Sequence, residues 1–160
     1  MPNSLGSKYL DRRVFLVSVT GAAVGFVLAA PGNAHAATDE EVSKAITDLV
    51  GNAEAESGEG ILSLDVPQIA ENGGTVPIGV KAESPMSEDD HVTAIHIFAT
   101  GNPNPDVISL RFTPRSGRAE ASTRMRLAGT QNVIALAETS TGKLYRTDAE
   151  IKVTIGGCGG

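Results

Sequence analysis

Residues 107–113 read Val-Ile-Ser-Leu-Arg-Phe-Thr, and residues 119–127 read Ala-Glu-Ala-Ser-Thr-Arg-Met-Arg-Leu. In the first stretch Ile108, Leu110 and Phe112 point the same way. In the second, Thr123, Met125 and Leu127 share one face, and Ser122, Arg124 and Arg126 share the other. A period of two is the mark of a strand with one face toward a core. Pro114-Arg115-Ser116-Gly117 joins the two stretches and reads as a turn.

The same pattern extends outward. Ile151, Val153 and Ile155 alternate with Lys152 and Thr154. Turn residues recur at Glu71-Asn72-Gly73-Gly74, at Gly101-Asn102-Pro103-Asn104-Pro105 and at Ser140-Thr141-Gly142. These marks predict seven strands, over 61–66, 74–81, 91–99, 107–113, 119–127, 132–139 and 144–155. Short alternating strands at this spacing predict an all-β fold, an immunoglobulin-like antiparallel β-sandwich. Residues 92–99 are apolar on both faces, as expected of a central strand. Pro67 and Pro77 mark strand ends, edges or bulges.

One helix precedes the strands. Thr38-Asp39-Glu40-Glu41 has the form of a capping box. Val42, Ala45, Ile46, Leu49 and Val50 then follow the spacing of one helical face, and Gly51 stands where the helix would end. This short amphipathic helix would pack on its own domain or on a partner; the sequence supports either. Residues 52–60 are acidic and glycine-rich and read as a loop.

The first 36 residues belong to a different class. Arg12-Arg13 precedes an apolar run from Val14 to Ala30, and Ala34-His35-Ala36 follows. A charged start, an apolar middle and an A-x-A site predict a cleavable export signal rather than a membrane anchor. The arginine pair followed by Phe15-Leu16 resembles a twin-arginine signal, which implies periplasmic localisation. The expected organisation is a signal over 1–36, a sandwich domain over 37–155 and a tail over 156–160. Loss of the signal would remove three of the 13 basic residues and one of the 19 acidic ones, so the domain is acidic.

Acidity excludes some functions. The chain of 160 residues has a formal net charge of -6, so the basic face that nucleic acid requires is not expected. With no Trp and 4% aromatic residues, a stacking platform is not expected either. A single Cys excludes an intrachain disulfide, a CxxC pair and a thiolate-rich zinc site. His91 and His96, five apart, would face opposite ways on one strand and make poor joint ligands. Glu88-Asp89-Asp90 reads as a solvated loop, and Arg124 and Arg126 as surface residues. No catalytic residue, metal or cofactor is expected.

The tail, Gly156-Gly157-Cys158-Gly159-Gly160, differs from everything before it. No apolar side chain anchors it beyond Ile155, so it reads as a flexible arm. At ~3.3–3.6 Å per residue, Cys158 would reach about 10 Å from Ile155 and the whole tail about 17 Å. Flanking residues without Cβ keep the arm thin enough to enter a narrow cleft. No base or oxyanion donor accompanies the thiol in sequence. Such a thiol suits being handed between other proteins' active sites.

On this tail, with the twin-arginine-like signal, the chain resembles the SoxY family, sulfur-carrier subunits of periplasmic thiosulfate oxidation. Ala70-Glu71-Asn72-Gly73, Asn102-Pro103-Asn104-Pro105 and Arg124-Met125-Arg126-Leu127-Ala128 add to the resemblance. The resemblance implies an immunoglobulin-like domain that turns over nothing itself, with Cys158 as the covalent attachment point for sulfur. It implies a heterodimer with a SoxZ-like subunit that travels with the exported chain. It also implies transient contacts with the haem enzyme SoxXA, which joins thiosulfate to the thiol, and with SoxB, which hydrolyses the terminal sulfone group to release sulfate. A sulfur dehydrogenase or another route would process the remaining sulfur. Two other readings stay open on the residues alone. One is an exported structural or adhesion sandwich that dimerises through Cys158. The other is metal delivery through Cys158 with His91 or His96.

Overall fold

The computed structural model describes residues 35–157. Most of the predicted signal, and Cys158, Gly159 and Gly160 of the predicted arm, lie outside the described residues. Helix α1 spans Asp39–Val50 and begins as its sequence requires. The Glu41 amide donates to the Thr38 hydroxyl at 3.3 Å, and the Thr38 amide donates to the Glu41 carboxylate at 2.8 Å. These two bonds satisfy backbone donors that a helix start leaves open. Gly51 ends the helix at φ 70°, and its amide donates to the Thr47 carbonyl.

Nine strands follow among the described residues: β1 (Glu56–Ser57), β2 (Leu62–Asp65), β3 (Ile69–Asn72), β4 (Val76–Ala82), β5 (Val92–Ala99), β6 (Asp106–Arg111), β7 (Ala119–Met125), β8 (Gln131–Thr139) and β9 (Leu144–Ile155). All seven predicted strands are present, their ends shifted by at most two residues. One sheet has the order β1-β9-β8-β5-β6, with β3 also beside β9; the second is β2-β4-β7. The inner faces meet in one core, with Val76, Ile78 and Val80 from the second sheet against Ile95, Ile97, Val133, Ala135 and Ile151 from the first. The fold is an antiparallel β-sandwich of the predicted kind.

Two departures have physical causes. Glu56–Ser57, inside the stretch read as a loop, and Ile69–Asn72, of which only Glu71-Asn72 carry a turn signal, are short strands lying parallel to β9. Both occupy the edge of β9 opposite β8, and so cover backbone groups that an open edge would expose. Pro77 lies inside β4, the middle strand of its sheet. It is tolerated because β2 pairs with β4 only over Gly79–Ala82. On that side Pro77 has no ladder partner to disappoint.

β5 is internal to its sheet, as its two apolar faces predict, and β8 beside it is equally buried from Val133 to Ala137. The reason is α1. Its Val42 packs with Phe98, Ile134, Leu136 and Leu144 on the outer face of this sheet, with Ala45, Ile46 and Val50 alongside. The helix therefore packs on its own domain. Burial of Phe98 or Leu136 stabilises the fold by about 1.5–3 kcal/mol each.

Candidate functional site

The last described residues sit at one end of the sandwich, where three segments meet through their backbones. Gly73 follows β3, Leu127 lies just past β7, and Gly156-Gly157 continue β9. The Gly73 amide donates to the Ile155 carbonyl at 2.7 Å, and the Leu127 amide donates to the Gly73 carbonyl at 2.8 Å. The Gly157 amide then donates to the Leu127 carbonyl at 3.0 Å. Leu127 is fully buried, so this ring is anchored in the core. Gly156 and Gly157, read as part of the arm, lie against the domain, and Cys158, Gly159 and Gly160 lie outside the described residues.

Close approach explains the glycines at this point. A Cβ on Gly73 would overlap the Leu127 carbonyl oxygen and stand 2.8 Å from the Gly157 nitrogen. A Cβ on Gly156 would overlap the Ala128 carbonyl oxygen. One on Gly157 would stand 2.9 Å from the Gly73 carbonyl and the Gly74 nitrogen. Backbone cannot step aside as a side-chain tip can, so these positions exclude any larger residue. Asn72 shapes the turn by accepting the Gly74 amide at 2.8 Å on its side-chain oxygen.

A buried amide hub supports this ring. Asn102 is 3% exposed. Its side-chain nitrogen donates to the Arg126 carbonyl at 2.9 Å, and its oxygen accepts the Ala128 amide at 2.9 Å and the Gln131 side-chain amide at 3.0 Å. Gln131 in turn accepts the Gly101 amide at 2.7 Å. Residues 126–128, which flank and include Leu127, are thus held on both sides. Each bond is worth about 0.5–1.5 kcal/mol net, and an orphaned buried partner costs about 1–3 kcal/mol. Gly157 is held by one backbone bond, to the Leu127 carbonyl.

Each of the three stretches noted in the sequence thus sends residues to the root of the tail: Gly73, Asn102 and residues 126–128. Sequence reasoning found the tail and missed Gly73, Asn102, Leu127 and Gln131 as its support. A glycine pair inside a turn and an Asn-Pro-Asn-Pro loop were the available signals.

The other candidates stay apart. His91 is half-buried just before β5, its Nδ1 3.0 Å from the Ser87 carbonyl. His96 is 2% exposed, with Nδ1 2.7 Å from the Ser109 hydroxyl and Nε2 3.8 Å from a Glu138 oxygen. Burial pushes the His96 imidazole below its ordinary value, against the pull of Glu138, and Arg111 adds to the push. Arg124 and Arg126 are exposed, as are Glu88, Asp89 and Asp90. No three of His, Cys, Asp and Glu converge among the described residues.

A small β-sandwich whose last described residues are held between two of its own loops is the class of domain that the structure defines. The family model described as sulfur oxidation protein SoxY matches residues 46–158, and the chain belongs to the SoxY family. Among solved structures it is similar to the sulfur carrier protein SoxY from Chlorobium limicola f thiosulfatophilum, at 35% identity and a TM-score of 0.62, covering 74% of this chain and 100% of that one. It is also similar to the superoxide reductase (neelaredoxin) from Ignicoccus hospitalis, at 15% identity and a TM-score of 0.54, covering 63% of this chain and 89% of that one. A putative superoxide reductase from Thermotoga maritima aligns at 19% identity and a TM-score of 0.53, covering 66% and 96% of the two chains. These last two likenesses concern the fold alone. No curated protein matches the chain.

Proposed function

We propose that the protein is a covalent sulfur carrier of thiosulfate oxidation, with Cys158 as the attachment residue and Gly156, Gly157, Gly159 and Gly160 as its arm. The observation that carries this reading is the family match, which runs through residue 158 and so takes in the only thiol of the chain. The thiol sulfur bonds to the sulfane sulfur of thiosulfate, losing its proton and giving two electrons to an oxidising haem partner. The product is a disulfide-linked sulfonate. Water then cleaves the sulfone group as sulfate and leaves a persulfide on the cysteine. A thiol accepts such reversible sulfur caps; a hydroxyl forms no S–S bond.

The carrier presents each intermediate and turns over nothing itself. Export through the twin-arginine route to the periplasm, pairing with a SoxZ-like subunit, and transient visits to SoxXA-like, SoxB-like and sulfur dehydrogenase-like enzymes complete the proposal. Intact-mass measurement after incubation with thiosulfate and the oxidising partner tests it. A sulfonate-bearing adduct is expected on the native chain and none on Cys158→Ser. An adduct that persists in Cys158→Ser overturns the assignment.

A further inference from the structure

We infer that Gly73 and Leu127 form a backbone latch that positions the carrier arm. It holds Gly156-Gly157 against the end of the sandwich and so fixes where the segment bearing Cys158 leaves the domain. Three observations carry this. The ring Ile155–Gly73–Leu127–Gly157 is closed by backbone hydrogen bonds of 2.7, 2.8 and 3.0 Å. Its interior admits no Cβ on Gly73, Gly156 or Gly157. Its far side is pinned by the buried Leu127 side chain and, through the Arg126 carbonyl and the Ala128 amide, by Asn102.

The consequence is a shorter and better aimed tether. With Gly157 docked, Cys158 is one residue from a fixed point, about 3.8 Å between Cα atoms. With Gly157 released, it is three residues from Ile155 and sweeps about 10 Å. The latch therefore separates a state with a one-residue tether from a state with a three-residue one. Gly73 and Leu127 are positioning residues; they act on the cargo only through the backbone of Gly156-Gly157. The link to sulfur transfer rests on the carrier reading, whereas the latch itself does not.

A nitroxide attached to Cys158 of the full chain tests the latch, because this is the only cysteine. The native protein is expected to show a motionally restricted component. Gly73→Ala and Gly156→Ala, each placing a methyl against backbone, are expected to lose it and to give a several-fold faster nitroxide. Gly129→Ala, whose added Cβ would meet nothing within 4 Å, is expected to match the native spectrum. Thermal melts run in parallel separate this from simple destabilisation, which would lower the midpoint without freeing the label. If Gly73→Ala does not fold, Gly156→Ala decides alone, since Gly156 lies outside every strand. Unchanged spectra in the folded variants overturn the latch. The label reports on the tail whatever the thiol carries, so this result and the Cys158→Ser adduct test fail independently.

Discussion

The carbonyl of Leu127 receives the amide of Gly157 at 3.0 Å, so the root of the tail is tied to a residue that is itself fully buried in the core. A thiol near a chain end would ordinarily inherit the disorder of that end. Here its root inherits the order of the sandwich, through a contact made entirely of backbone.

Leu127→Ala should therefore have two effects. Deleting a fully buried leucine costs about 2–5 kcal/mol of stability, read as a lower denaturant midpoint. The cavity should also loosen the Leu127 carbonyl and raise amide exchange at Gly157 beyond the change at β9. Equal changes at both places would show that Leu127 acts on the tail only through global stability.

Asn102→Ala should orphan the Ala128 amide and the Arg126 carbonyl. Both groups are only partly buried, so the expected loss is about 0.5–1.5 kcal/mol for each bond removed. Chemical denaturation of the variant measures it; a change within error of zero would mean that other groups replace the hub.

Gly157→Val should leave the fold intact and slow sulfur transfer between partner enzymes. Its Cβ meets the Gly73–Gly74 peptide, so the docked position is lost, and the bulk thickens the arm. Single-turnover loading and unloading rates check this. Native rates in the variant would mean that neither docking nor thinness matters.

Acid should weaken the fold through His96. Burial holds its folded pKa below the ordinary 6.5, so between those values the unfolded chain binds the proton and the folded chain does not. Stability is then complete above about 6.5 and falls as pH drops below it, until the folded imidazole titrates. Urea midpoints followed across this range should slope less in His96→Leu than in the native protein. Parallel slopes would assign the acid sensitivity to other groups.

Much of this was legible in the sequence, for physical reasons. The Thr38–Glu41 box and Gly51 act on neighbours in sequence, so they fix α1 locally. One-sided burial imposes the period of two that marks β6, β7 and β9. What stayed hidden depends on distant backbone. Glu56–Ser57 and Ile69–Asn72 pair with β9 through main-chain groups that leave no side-chain signature, and their acidic and glycine-rich surroundings resemble loops. The cover that α1 provides for Phe98 and Leu136 required knowing which sheet face lay open. Cys158 stood out by composition alone. The docking of Gly156-Gly157 did not, because glycine is the residue both of a free tether and of a tight backbone contact.

The central claim is that sulfur rides on Cys158, and mass mapping of the C-terminal peptide tests it most directly. In protein isolated from cells actively oxidising thiosulfate, that peptide should carry mass increments of sulfur or of a sulfur-linked sulfonate. A thiol reductant should remove them. An unmodified C-terminal peptide under these conditions, or increments that resist the reductant, would contradict the account.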